Sequence, residues 1–327
     1  MLNLQKKWFL VIILVSIAFL TCNTFSRTDP PRSLDKERTL KYLMRNYVSP
    51  KFYQGIYMNY SASANMKKFK SFVDRAKNYG INVIVLDVDN NNIYRWQQVQ
   101  YLLKKGIHPV ARIVVFSEGL KKFPPSIDLI YNRLWLVKVA CDMGFREVQL
   151  DYIRFSDSNK KIAGITNIQR HKFINTFVYK AKKITQRYGV KIAVDIFGRI
   201  PFGRDDDRIG QGMDALSAIV DVICPMAYPS HYEKKLRHRP FSVVKWTVDR
   251  AVKRTKGAKV VAYLQGFKWR MPSMSMSWYI ANQIYAVKAA KGGGFIMWNV
   301  NSDYNTLYSV LKYIKAKKSV TKKIHKK

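Results

Sequence analysis

From Phe52 to about Lys315 the hydrophobic pattern switches repeatedly between two periods. Short β-branched and aromatic runs predict strands at Tyr53–Asn59, Asn82–Asp89, His108–Phe116, Glu147–Arg154, Lys191–Phe197, Asp221–Tyr228, Lys259–Gly266 and Gly294–Asn299. Amphipathic stretches between them predict helices at Met66–Tyr79, Tyr94–Lys105, Ser126–Met143, Asn167–Tyr188, Met213–Ile219, Ser242–Thr255, Ser277–Lys291 and Tyr304–Lys315. Gly80, Gly106, Gly144, Gly189 and Gly257 stand where a helix has to stop before the next strand. About eight strand–helix units in roughly 265 residues is the count and size of a (β/α)8 barrel. A doubly wound sheet would carry a glycine-rich phosphate turn after its first strand, and Asn59-Tyr60-Ser61-Ala62-Ser63 is not one.

Side-chain parity sharpens this expectation. Val83, Val85, Asp87 and Asp89 share one face of the second strand, and Ile84, Leu86 and Val88 the other. The all-apolar face suits a helix layer, and the face that turns polar at its C-terminal end suits a lumen opening into a site. The same rule points Val110 and Arg112, Gln149 and Asp151, Ala193 and Asp195, and Tyr263 and Gln265 inward.

Acidic residues are scarce, 21 against 58 basic ones, yet Asp87, Asp89, Glu118, Asp151 and Asp195 all fall at or just past C-terminal strand ends. That rim is where barrel enzymes place their chemistry. Asp151 and Asp195 occupy equal heights and the same parity on consecutive strands; strands lie about 4.8 Å apart, so the carboxylates fall about 5–9 Å apart depending on rotamer, a range that covers both retaining and inverting geometries. Two such acids can flank a glycosidic bond, one protonating the leaving oxygen and the other acting as nucleophile or activating water. Arg112 and Arg154 are placed to tune them. Tyr228 and Trp298 offer faces for a sugar ring, and His231, Gln265 and Asn299 offer hydrogen bonds to hydroxyls. Taken singly, each aromatic is better explained by core packing, a balance that its rim position evens, and a strand-end Asp is as well explained by an ion pair with its neighbouring Arg.

Composition and motifs change the picture in a few places. Met1 to Cys22 reads as an export leader, with Lys6 and Lys7 ahead of the apolar run Trp8–Leu20. Leu20-Thr21-Cys22 resembles a relaxed lipoprotein box with Cys22 as the lipidation site, and ordinary cleavage or an uncleaved anchor are the alternatives. Residues 23–51 read as a linker with Pro30-Pro31 and a short helix over Lys36–Arg45, residues 52–315 as the barrel, and residues 316–327 as a solvated basic tail. The expected location is the cell envelope, periplasmic or outer surface. Cys141 and Cys224 read as small buried residues, without a disulfide framework.

A net charge of +37 favours anionic polymers or surfaces as partners, but the lysines are spread over every helix and no nucleic-acid-binding pattern accompanies them. His108, His171, His231, His238 and His325 form no zinc signature, and there is no nucleophile elbow or P-loop, so no metal or cofactor is expected. The run Asp205-Asp206-Asp207 reads as a loop neutralised by Arg204 and Arg208.

Several segments resemble a family of bacterial envelope glycoside hydrolases once catalogued as a domain of unknown function and related to the α-amylase-like barrels. They are Gly55-Ile56-Tyr57, Asn82–Val88, Ala111–Phe116, Gly144–Phe155, Val194–Gly198, Ile209-Gly210-Gln211, Pro225–Tyr232 and Trp298-Asn299. The resemblance spans Phe52 to about Lys315 in order. It implies a TIM barrel with Asp151 in the nucleophile position. The chain departs from the pattern in a short segment after Asp89, in Ser156 where a proline is usual, and in Gly266 where the pattern carries an Asp. The leading expectation is an exported hydrolase of an envelope or environmental polysaccharide, with Asp151 and Asp195 as the carboxylate pair. A barrel that binds glycans without turnover, for which Gly266 speaks, is the alternative.

Overall fold

The computed structural model describes residues 47–91, 95–157, 162, 164–203 and 208–324, with side chains to residue 317. The leader with Cys22, most of the linker, the Asp205–Asp207 run and the last three residues lie outside the described residues.

Eight parallel strands close on themselves in chain order, each paired with the next and the first with the eighth. They are β1 (Tyr53–Met58), β2 (Val83–Asp87), β3 (His108–Val114), β4 (Glu147–Asp151), β5 (Lys191–Phe197), β6 (Val222–Met226), β7 (Lys259–Gln265) and β8 (Gly294–Trp298). Around them run α1 (Tyr60–Ala64), α2 (Met66–Asn78), α3 (Trp96–Lys104), α4 (Ile127–Asp142), α5 (Asn167–Arg187), α6 (Met213–Ile219), α7 (Pro240–Arg254), α8 (Met276–Ala289) and α9 (Asn305–Ile324). This is the (β/α)8 barrel that the repeat predicted. Among the described residues no helix is long and apolar enough to cross a membrane.

Several helices start where a side chain satisfies their first N–H groups. Ser126 caps α4, Ser275 caps α8, and Thr166 with Gln169 forms a capping box on α5. Gly106 and Gly189 follow α3 and α5 with φ of 69° and 62° and open space where a Cβ would sit, so backbone handedness alone calls for glycine there.

The parity argument holds through the barrel. Tyr53, Tyr57, Val83, Val85, Val110, Ala193, Val222, Cys224, Val261, Tyr263 and Ile296 pack together inside it. Ile56, Met58, Ile84, Leu86, Ala111, Val148 and Val194 join the layer beneath the helices. Cys141 and Cys224 are both free thiols and buried.

The N-terminal mouth of the barrel is closed by the segment leading into β1. The Tyr47 hydroxyl meets His108 Nδ1, Lys191 Nζ donates to Ser49 Oγ at 2.9 Å, and Lys259 Nζ donates to the Pro50 carbonyl at 3.0 Å. Beneath them Tyr53 donates to Glu147 Oε2 at 2.7 Å, with His108 Nε2 at 3.2 Å from the same oxygen. Burial lowers the His108 pKa despite Glu147, which keeps the imidazole neutral.

Most element ends fall within two residues of expectation, and three departures are larger or have a local cause. β4 stops at Asp151 because Tyr152 turns into the left-handed region at φ 53°. α1 interposes a turn of helix that the pattern did not show, capped by Asn59. The basic tail expected from residue 316 instead continues α9 to Ile324, in keeping with the helix propensity of its Lys and Ala residues.

Candidate active site

The strand register places the polar groups. Asp87 is level with Arg112, and Arg112 with Gln149. On β4 and β5 Leu150 is level with Val194, which sets the next residues, Asp151 and Asp195, side by side. All of them point into the C-terminal half of the lumen, where a cleft of about 490 Å³ opens. Arg112, Asp151, Arg154, Asp195, Tyr228, His231 and Trp298 line it.

The two acids sit in unlike surroundings. Asp151 is held by a cation: Arg112 donates to its Oδ2 through Nε at 2.9 Å and Nη2 at 2.6 Å, and the Tyr152 N–H donates to Oδ1 at 2.7 Å. The left-handed turn at Tyr152 makes that last bond. Asp195, only 3% exposed, receives a neutral donor, Gln149 Nε2, on its Oδ1. Gln149 is itself fixed by the Tyr263 hydroxyl, which donates to its Oε1 at 2.8 Å. Burial first, and then the charge of Asp151, push the Asp195 pKa well above the usual carboxylate range, against a smaller opposing pull from Arg112. One acid is thus ion-paired and its neighbour is kept protonated, the division of roles that acid-catalysed bond cleavage needs.

Arg112 is the hub of the arrangement. Its Nη1 donates to Asp87 Oδ1 at 2.6 Å, and the other oxygen of Asp87 accepts from the Tyr57 hydroxyl at 2.5 Å. Tyr57 and Trp298 stack at 4.0 Å between ring centres, and the guanidinium lies 4.9 Å from the Trp298 ring. Asp87 therefore braces Arg112 and does not line the cleft. Arg154 lines the cleft but donates to Asp157 at 2.9 Å and to the Phe155 carbonyl at 3.0 Å, packed 4.5 Å from the Phe197 ring.

Of the remaining expected contacts, Tyr228 and His231 lie in the cleft wall with rings edge to face at 5.1 Å. Burial, then the charges of Arg270 and Arg199, lower the His231 pKa. Gln265, Asn299 and Asp89 are placed elsewhere. Gln265 is wholly buried: its Oε1 accepts from the Ser230 N–H at 3.1 Å and its Nε2 donates to the Phe267 carbonyl at 3.0 Å. Asn299 donates to the Gly266 carbonyl at 2.6 Å and accepts from the Asn301 N–H at 2.9 Å. Asp89 accepts from the Asn91 N–H at 2.8 Å in the loop after β2. Glu118 pairs with Lys121 on the surface.

Sequence reasoning had placed Gln149 and Tyr263 inward without a role, and had passed over Tyr57, Phe197, Trp269 and Arg270. The parity rule could have found Tyr57 and Phe197, which share the inward faces of β1 and β5; Trp269 and Arg270 form a loop pair with no periodic signal.

The profile of a family described as "putative glycosyl hydrolase domain" matches residues 129–304, more than half of the chain. The chain belongs to that family. The glycosyl hydrolase match runs from α4 to the start of α9 and so contains both Asp151 and Asp195. None of the curated proteins matches the sequence. Among solved structures the barrel is similar to the PgaB (BpsB) glycoside hydrolase domain of Bordetella bronchiseptica, with a TM-score of 0.62 at 12% identity over 80% of this chain and 99% of that one. An endo-1,4-beta-mannanase of Rhizomucor miehei gives 0.58 at 11% identity over 82% and 95%. A class V chitinase of Pseudomonas fluorescens Pf-5 gives 0.57 at 14% identity over 80% and 98%. At these identities the likeness is one of fold, and the chemistry has to be argued from the site.

Proposed function

We propose that this glycosyl hydrolase barrel is an exported enzyme that cleaves glycosidic bonds in an envelope or environmental polysaccharide, with Asp195 as general acid and Asp151 as the facing carboxylate. The observation that carries the reading is the unequal environment of two side-by-side acids: Arg112 on Asp151, and burial with an amide donor on Asp195. Asp195 delivers its proton to the leaving oxygen as the bond from that oxygen to the anomeric carbon breaks. Asp151 meets the positive charge that develops on the sugar, as nucleophile or as stabiliser, and water gives its hydroxyl to the anomeric carbon and its remaining proton back to Asp195, which completes hydrolysis. Proton loss leaves Asp195 anionic beside Asp151, and the charge of Arg112, bonded to Asp151 and felt at Asp195, limits the repulsion. Trp298 and Tyr228 give the ring faces against which a pyranose packs. Export rests on the leader, and anchoring through the N-terminus on Cys22.

Turnover of a glycan library by the intact protein and by its Asp151→Asn and Asp195→Asn variants tests the assignment. Loss of about 10²-fold or more in each variant is expected, and undiminished turnover in both would sink it.

Two features favour a second reading, glycan binding without turnover. Both Asp151 oxygens already accept hydrogen bonds, and Gly266 supplies no third acid. Glycan binding with no release of reducing ends would decide for it.

A further inference from the structure

On the β7 side of the cleft stand two residues that the reaction scheme leaves unused. Trp269 and Arg270 follow β7, both line the cleft, and Trp269 is 50% exposed. The Arg270 guanidinium lies 4.3 Å from the centre of the Trp269 ring, and His231 meets that ring edge to face at 5.4 Å. Arg270 has φ 48°, a left-handed conformation that a residue with a side chain adopts at a steric cost.

The turn is held by Gln265, whose buried amide donates to the Phe267 and Trp269 carbonyls at 3.0 and 3.3 Å and accepts from the Ser230 N–H. A fully buried polar side chain thus holds the backbone that presents the exposed indole and guanidinium, which pack against each other and against His231. Such rigidity is of use to a ligand, because it lowers the ordering cost of binding.

The charge at this place is not a spill-over from the lysine-rich surface. Lysines outnumber arginines nearly two to one in the chain, yet the cations lining the cleft, Arg112, Arg154, Arg199 and Arg270, are all arginines. Arg112 is satisfied by Asp87 and Asp151, and Arg154 by Asp157. Arg270 has no carboxylate partner among the described residues. The planar guanidinium matches a carboxylate or phosphate in bidentate fashion, and the indole face beside it suits the C–H face of a sugar.

We propose that Trp269 and Arg270 form a subsite for an acidic sugar, one whose ring lies on the indole while its carboxylate or phosphate meets the guanidinium. The glycan that the cleft accepts is therefore anionic. This rests on the glycoside hydrolase reading and adds the substrate class to it.

The test is calorimetric binding to the full chain carrying Asp195→Asn, with two matched pairs of probes. One pair is hexagalacturonate and its methyl ester; the other is 6-phosphorylated maltohexaose and its unphosphorylated parent. In at least one pair the acidic member is expected to bind about tenfold tighter than the neutral one, the size of one charge-assisted contact. Arg270→Gln should bring that pair to parity with the neutral member unchanged, and Trp269→Ala should weaken both members. The pair that shows the effect tells carboxylate from phosphate. Equal or tighter binding of both neutral members, a preference that survives Arg270→Gln, or no binding of either acidic probe overturns the proposal. A neutral glycan hydrolysed in an Asp195-dependent manner would overturn it and leave the hydrolase reading standing; turnover that ignores Asp151 and Asp195 would do the reverse.

Discussion

Replacing Asp195 by Asn separates stability from catalysis in a way that few substitutions at this site can. Asn has the shape of the protonated acid and can still accept from Gln149 Nε2, so the bonds through Gln149 to Tyr263 persist. What is lost is the ability to ionise. In the unfolded chain an Asp releases its proton near pH 3.9, whereas in the folded protein burial and Asp151 keep the Asp195 proton on to considerably higher pH. The contribution of this group to stability is therefore complete below the unfolded pKa and is lost as pH rises through the folded one. Each pH unit in that window removes about 1.4 kcal/mol from the wild type and nothing from the variant. At 3% exposure there is little solvent screening to reduce the figure. Asp195→Asn should melt close to wild type near pH 4 and progressively above it at higher pH, by about 2–4 °C per kcal/mol in a domain of this size. Its turnover should fall about 10²–10⁴-fold, as for loss of a general acid. Melting curves from about pH 4 to about pH 8, beside hydrolysis assays on the same preparations, test both halves. A variant that melts below wild type by the same amount at every pH would refute the buried, proton-holding Asp195.

Arg112→Ala leaves Asp151 and Asp87 without their cation, and breaking a buried pair in this way should cost about 3–5 kcal/mol in urea unfolding. Gly266→Asp restores the acid of the family pattern, but a Cβ there would stand 2.8 Å from the Trp298 carbonyl oxygen and 2.9 Å from Met297 Cγ. It should destabilise by about 1–3 kcal/mol without raising turnover. An unchanged melting temperature together with faster hydrolysis would show instead that the neighbouring strand yields readily.

The barrel was legible because a closed sheet has two unlike faces. Val83 and Val85 pack inside the barrel, Ile84 and Leu86 join the layer beneath the helices, and a period of two separates them without further information. The placing of Asp151 and Asp195 in one cleft followed from the same alternation. Polar residues at the ends of β7 and β8 were not resolved by it. Gln265 and Asn299 look alike in sequence to side chains that reach a ligand, and only the folded loops reveal backbone carbonyls already waiting for their amides. The end of β4 was hidden for another reason: Tyr152 enters the left-handed region without a glycine to mark it. Trp269 and Arg270 sit in a connection whose geometry comes from a residue outside it, so no local pattern could give them away.

The ties of Ser49, Pro50 and Lys51 to Lys191 and Lys259 bear on how the molecule would be oriented in use. They bring the chain in across the pole opposite the cleft, with strands of five to seven residues between the two, about 16–24 Å at the usual strand rise. A pull or tether acting through the residues before Tyr47 would load the closed end of the barrel and leave the rim loops unstrained. Under the anchoring proposed through Cys22, such a tether would attach at the pole opposite the cleft.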